Sequence, residues 1–379
     1  MRILFSSFAP FIGGAEVAVA RLARGLIDAG HQVHLVVGTK GKALEHFEQA
    51  GISCTYVAAR FTSKLGWLSY ARSRASLISV IRDFKPDIVH ANDLPTHQIT
   101  SDASRRAHVA NICHHRWIYD GAATDWLNKF GAHRHIFVSR WLRDALTSQA
   151  TTLDTNVCHV VYDGLELPPP PSSVARVDCK KSISIDADTP LIVFAGQVIE
   201  RKGVADIIAA WSRLSAWHNR ARLVIVGDDV AGKGEYRRKM ELLAQDLGCP
   251  VTFAGFQANV SKWLTASDVV LVPSHTEPLG NATLEAMALS RTVIGTRVGG
   301  IPEMIEDGRT GILVSPRSPD DLARALVYLL EHPDRRCELG EAARRRCETT
   351  FSLNAHITAM IEQYQSTLAS ADTISTVGC

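Results

Sequence analysis

No stretch of this chain approaches the roughly 18 uninterrupted apolar residues of a membrane span. The opening MRILFSSFAPFIGGAE has one arginine and too short an apolar run for a secretory leader. Together these predict a soluble, cytoplasmic protein, at most resting on a membrane. No two cysteines form a CxxC pair: the eight stand apart at 54, 113, 158, 179, 249, 337, 347 and 379. No His/Cys run has zinc spacing either, so they read as isolated, mostly buried thiols, with no metal expected. Charge of one sign is not in excess, with 41 Lys+Arg against 39 Asp+Glu, which disfavours a nucleic-acid partner held by bulk electrostatics. No G-x-G-x-x-G follows the first apolar run; FIGGAE (11–16) stands there instead, which disfavours nicotinamide or flavin binding in the usual pattern. No tandem repeat of 20 to 50 residues is visible.

What is present is alternation. Short β-branched runs at 2–7, 31–38, 54–58, 87–91, 108–113, 135–139 and 158–162 alternate with longer helical patterns. The same holds for 191–196, 222–227, 251–255, 268–274, 292–296 and 311–315. This predicts an α/β fold with parallel sheets wrapped by helices. At 379 residues the chain suits two domains. LELPPPPSSVAR (165–176) lies between the halves, and four successive prolines suit a stiff, extended spacer. The expected layout is a Rossmann-like domain over 1–166, a linker over 167–181 and a second Rossmann-like domain over 182–352, with a cleft between the domains. An amphipathic helix over 353–368 is expected to pack back on the first domain, ahead of a disordered tail at 369–379.

Two stretches suggest chemistry. In SHTEPLGNATLEAMALSR (274–291), an apolar strand ends at a turn and a helix begins near Asn281. The free amides of Leu279, Gly280 and Asn281 and the helix dipole would make an anion seat. Glu277 can accept from sugar hydroxyls and Glu285 from a ribose diol, although both also suit an ordinary helix start. In FAGQVIERKG (194–203), Lys202 and Arg201 would point into the same carboxyl-edge crevice, where a cation can neutralise a diphosphate; a solvated helix start is the alternative. GDDVAGKG (227–234) has P-loop spacing, but Gly234 stands where a Ser or Thr should hold magnesium, and Asp228-Asp229 reads as a turn or helix cap.

These motifs bring out a resemblance. The chain looks like the family 4 glycosyltransferases of the GT-B fold (glycosyl transferases group 1), over nearly its whole length and most strongly over 191–315. The resemblance implies a retaining, metal-independent glycosyltransferase that moves a sugar from a nucleoside diphosphate to a hydroxyl of a glycan, lipid-linked glycan or small molecule, and that needs no cofactor. EPLGNATLEAMA resembles the family's paired-glutamate motif, placing Glu277 on the donor sugar and Glu285 on the ribose. GQVIERKG resembles its phosphate motif, placing Lys202 on the diphosphate. VTFAGF suggests Phe256 and Gln257 beside the base. GGAE resembles a loop whose glycines, Gly13 and Gly14, approach the phosphates. In ICHHRW, His114 aligns best with an active-site histidine that follows a strand; a capping or core histidine is the alternative for His114 and His115 alike.

The chain departs from the family pattern at three positions: Gln197 replaces a common arginine, Asp163 a usual asparagine and Asn92 a common second histidine. A nucleotide-sugar epimerase of the same fold and a non-catalytic sugar-nucleotide module are the competing functions. The basic amphipathic stretch 62–85 suits either a membrane surface or an ordinary helix with its apolar side in the core.

Overall fold

A computed structural model of the chain describes residues 1–9, 12–58, 67–119, 124, 125, 127, 129, 131–150 and 152–376, the last six by backbone alone. The chain divides into two compact units: Met1–Leu165 with Leu353–Cys379, and Glu166–Ser352.

The first unit holds a seven-stranded sheet in the order β3-β2-β1-β4-β5-β6-β7, every pairing parallel. Its strands are β1 (Arg2–Ser7), β2 (Gln32–Val37), β3 (Ser53–Tyr56), β4 (Ile88–Ala91), β5 (Ala110–His115), β6 (Arg134–Phe137) and β7 (Cys158–Val160). The second unit repeats the plan with six parallel strands in the order β10-β9-β8-β11-β12-β13. These are β8 (Leu191–Ala195), β9 (Arg222–Val226), β10 (Thr252–Gly255), β11 (Val269–Val272), β12 (Thr292–Thr296) and β13 (Ile312–Val314). Central strands such as Val269–Val272 are buried along their whole length, because helices cover both sheet faces. In each sheet the strand order reverses once, between β1 and β4 and between β8 and β11. Open α/β sheets form their ligand crevice at the carboxyl ends of such a strand pair.

Three sequence expectations need correction. The chain from Glu166 to Ser172 is irregular, but where the prolines predict a spacer to 181 a helix, Ser173–Ser182, forms. Its start follows the last proline, and the Ser172 hydroxyl accepts from the Ala175 N–H at 3.1 Å, so an ordinary serine cap overrides the stiffness of the preceding residues. The terminal helix runs Leu353–Thr376 rather than ending at 368, since nothing in ASADTIST breaks a helix; 377–379 lie outside the described residues. Strand β5 continues through His115, because His114 and His115 pair with Ile136 and Phe137 of β6; His114 therefore lies within the strand and not after it.

The terminal helix buries Met360 and Tyr364 among Ile3, Phe5, Val19 and Leu22 of the first unit's core. Helix Trp67–Phe84 likewise turns Leu77 and Ile81 inward, and Arg74 pairs with Asp102 at 2.8 Å. The apolar side of the basic segment thus serves the core, with Trp67 and Leu68 left exposed; residues 62–66 lie outside the described residues. Among the described residues no helix is long and apolar enough to cross a membrane.

Met360 is fully buried, and truncating a buried methionine removes transfer free energy and leaves a cavity. Met360→Ala should destabilise the first unit by about 2–5 kcal/mol, measured as a lower urea midpoint of that unit's transition. An unchanged midpoint would show that the helix does not belong to this core.

Candidate active site

In the second unit, both motifs sit at the strand pair where the order reverses. Beyond β8 the chain forms a single 3-10 turn, Glu200–Lys202, and then Gly203 with φ +71. A Cβ on Gly203 would collide with the carbonyl oxygen of Pro273, so only glycine lets this turn press against the end of β11. The close approach delivers Lys202, whose Nζ forms an ion pair with Glu277 Oε2. The hydroxyl of Ser274 lies 3.3 Å from the same oxygen. Glu277 is only 8% exposed, and its backbone is clamped as well. Its carbonyl accepts from the Gly300 N–H at 2.9 Å, while a Cβ on Gly299 (φ +58) would strike that carbonyl. The VGGIP segment therefore holds the glutamate from behind.

Arg201 is partly buried beside the pair. Burial pulls its pKa below the usual arginine range, and the nearby Glu277 carboxylate opposes that shift. The Arg201 carbonyl accepts from the His275 N–H at 2.7 Å, joining the two loops again. Helix Asn281–Ala288 follows, with Gly280 as N-cap and no side-chain cap, and Leu279 is buried. Glu285 is half-buried on the second turn of this helix. Lys202, Arg201 and Glu277 stand together, and Glu285 lies on the helix that follows. Gln197 is exposed, as is Phe256 at 73%, and the Gln257 amide donates to the Ala254 carbonyl at 2.8 Å. Asp229 accepts from the N–H groups of Gly232 and Tyr236 at 2.7 and 2.9 Å, which makes it a turn and helix cap.

In the first unit, GGAE behaves differently from expectation. The Gly13 N–H donates to Glu16 Oε2 at 2.9 Å, closing a capping box at the start of helix Gly14–Asp28. The amide that the sequence assigns to a donor phosphate is occupied here by the helix's own carboxylate, because a Glu at the third helical position reaches back to its cap. Glu16 is buried, and desolvation raises its pKa.

His114, fully buried on β5, lies in a polar network. Its Nδ1 is 3.2 Å from His90 Nε2 and 3.3 Å from Arg116 Nη2. His90 Nδ1 is 2.7 Å from the Tyr364 hydroxyl. Arg116 donates through Nε to Asn92 Oδ1 at 2.8 Å and through Nη1 to the carboxylate of Asp163. Two departures from the family pattern, Asn92 and Asp163, thus meet on one guanidinium. Sequence reasoning missed Arg116, His90 and Tyr364; the paired departures were the available signal.

Burial also pushes the imidazoles of His90, His114 and His115 well below the ordinary histidine range, and takes His135 to about 3 and His356 to about 4. Cys113, His115 and His135 bring possible metal-ligand atoms within 4.8 Å of one another. They come from adjacent strands, which is why no sequence spacing announces them. His115 Nε2 and His135 Nδ1 are 2.9 Å apart, a hydrogen bond, whereas two nitrogens on one tetrahedral zinc stand about 3.3 Å apart. The arrangement is that of a hydrogen-bonded pair.

The glycosyl transferases group 1 family model matches residues 177–346, and the glycosyltransferase family 4 model matches residues 12–167. The chain belongs to the group 1 glycosyltransferases. This glycosyltransferase is 29% identical to an uncharacterized glycosyltransferase of Methanocaldococcus jannaschii over 335 residues, 82% of this chain and 84% of that one. It is 33% identical to the alpha-maltose-1-phosphate synthase of Mycolicibacterium smegmatis over 237 residues, 59% of this chain and 60% of that one. A D-inositol 3-phosphate glycosyltransferase of Xylanimonas cellulosilytica is 32% identical over 56% of this chain and 52% of its own length. The match thus spans between half and two thirds of these two functionally named relatives. The crystal structure of Anabaena HepE in complex with UDP and glucose superimposes with a TM-score of 0.86 at 21% identity, covering 97% of this chain and 100% of that one. Each unit of the glycosyltransferase has the Rossmann-like parallel sheet of the GT-B fold.

Two stability effects follow from the buried groups. Asp163→Ala leaves the Arg116 charge buried without its carboxylate, which should cost about 3–5 kcal/mol in denaturant titration. Histidines held neutral in the fold regain a pKa near 6.5 when unfolded, so unfolding takes up protons below that pH. Their stabilisation is present above pH 6.5 and is lost as pH falls towards the folded values, at up to about 1.4 kcal/mol per pH unit per histidine. Unfolding free energies at pH 7.0, 6.0 and 5.0 should fall with a slope of at least two protons. A flat profile would show that these imidazoles are not held neutral.

Proposed function

We propose that this glycosyltransferase moves a sugar from a nucleoside diphosphate to an acceptor hydroxyl, with retention of anomeric configuration and without a metal. The observation that carries the reading is the Lys202–Glu277 ion pair at the crevice of the second sheet, with Arg201 beside it. As the bond to the sugar lengthens, negative charge builds on the departing diphosphate. Lys202, Arg201 and the uncapped helix start after Gly280 are fixed positive groups there, and stabilisation of that charge needs nothing more. Glu277 accepts from sugar hydroxyls, and Glu285 from the ribose. Lys202 now contacts Glu277, so donor binding exchanges part of this ion pair for phosphate and sugar contacts. The pair holds both side chains ready in the crevice.

Two rival readings are separable. An epimerase would convert a nucleotide sugar with no acceptor present. A binding module would dispense with Glu277, whose side chain and backbone are both held in place.

A thermal-shift screen over nucleotide sugars should single out the donor, since a tight ligand raises the melting temperature by mass action. UDP-sugars come first in the panel because the HepE structure holds UDP and glucose. With donor and acceptor in hand, Glu277→Ala should abolish transfer while the fold is retained, and Lys202→Ala should lower kcat by about 100-fold or more. Excess EDTA should leave the rate unchanged. Near-wild-type transfer by Glu277→Ala refutes the assignment, and loss of activity on chelation refutes metal independence.

A further inference from the structure

We infer that Arg116 fixes the protons along the chain Tyr364–His90–His114, so that His114 is a neutral hydrogen-bond donor through Nε2 and Tyr364 is its remote positioning residue. The argument begins with the one group whose role is not open to choice. A guanidinium only donates and stays protonated in proteins. Arg116 Nη2 stands 3.3 Å from His114 Nδ1, so that nitrogen is the acceptor and a neutral His114 carries its proton on Nε2. His90 Nε2 approaches the same Nδ1 at 3.2 Å. Two lone pairs would repel there, so His90 also carries its proton on Nε2, and the two donors share one lone pair at long distances. The remaining nitrogen of His90, Nδ1, must then accept, and the Tyr364 hydroxyl at 2.7 Å donates to it.

Every proton in the chain is thereby assigned. Arg116 is itself held from two sides, by Asn92 Oδ1 and by the Asp163 carboxylate, so its direction of donation is fixed by the fold. Burial keeps both imidazoles neutral, and the additional positive charge of Arg116 acts in the same sense.

One end of the chain is open. His114 Nε2 is fully buried and has no hydrogen-bond partner among the described residues. A buried donor left unpaired costs about 1–3 kcal/mol, which a ligand oxygen can recover. On the proposed function, on which this role rests, that oxygen belongs to a substrate. The group can donate to it, but it is not a base: its only lone pair already receives Arg116 and His90. Among the described residues Tyr364 joins this chain through His90, 274 residues away in sequence, and its hydroxyl completes the assignment.

Long-range proton–nitrogen correlation spectra of the full chain, labelled with 15N-histidine and recorded at pH 7.5, read the tautomers directly. Signals are assigned with His90→Gln and His114→Gln. His90 and His114 should both appear as Nε2–H forms; His114 as the Nδ1–H form, or as imidazolium, overturns the inference. Tyr364→Phe keeps the ring and its packing but removes the donor. It should shift the His90 Nδ1 resonance and lower kcat about 5- to 20-fold, with the thermal midpoint little changed; an unmoved His90 signal overturns the role of Tyr364. Expected spectra with no transfer from any nucleotide sugar would sink the proposed activity and leave the proton arrangement standing. Transfer by a protein whose His114 is the other tautomer would sink this inference alone.

Discussion

Arg116 is buried, and a guanidinium can only donate hydrogen bonds. That constraint organises the polar interior of the first unit. A charge taken out of water must be met by a carboxylate and by acceptors with good geometry. Asp163 supplies the first, and Asn92 and His114 the second, from the chain after β7, the end of β4 and the strand β5 itself. Because its neighbours answer to a fixed donor, their hydrogen bonds acquire a direction that neutral groups alone would leave undetermined. The terminal helix joins the same network through Tyr364 and, at Gly164, through His356 Nδ1, which accepts that backbone N–H at 3.1 Å. A helix that looks like simple apolar cover therefore also completes a hydrogen-bond chain.

The second unit meets a related constraint by other means. There the paired charges, Lys202 and Glu277, come from loops 75 residues apart and are brought together by backbone approaches that only glycine permits, at Gly203 and Gly299. The first glycine sets how near the lysine loop can lie to β11; the second sets the wall behind the glutamate. Neither touches a ligand on this reading. Their work is to make the positions of two ionic side chains a property of the sheet, so that little reorganisation is needed when charge moves.

The fold was largely legible because both sheets are parallel and covered on two faces, which writes each strand as a short apolar run between helices. The Lys202 and Glu277 stretches were legible for a related reason: each follows its strand directly, so strand ends fixed their place. Where local chemistry competed, the sequence misled. A serine cap begins a helix at Ser173 just after four prolines, and Glu16 takes the Gly13 amide assigned to a phosphate. Tyr364, His90 and Arg116 were invisible because their meaning lies in contacts between distant segments. The departures at Asn92 and Asp163 looked like two separate losses, and only their shared partner shows that they form one device.

The neutral imidazole bears on the chemistry. An acceptor hydroxyl must lose a proton as it attacks, and a histidine in an active site is the usual suspect for taking it. His114 is poorly suited. Desolvation and a neighbouring guanidinium both oppose its charging, and its lone pair is already occupied. If Glu277 accepts from sugar hydroxyls while Lys202 and Arg201 hold the diphosphate, the most basic oxygen near the reaction is that of the leaving group itself. On that proposal the proton would pass to the charge that is forming, with Lys202 and Arg201 held beside it. The buried, unpaired N–H of His114 is thus a fixed donor in the first unit, and no base need be assigned to it.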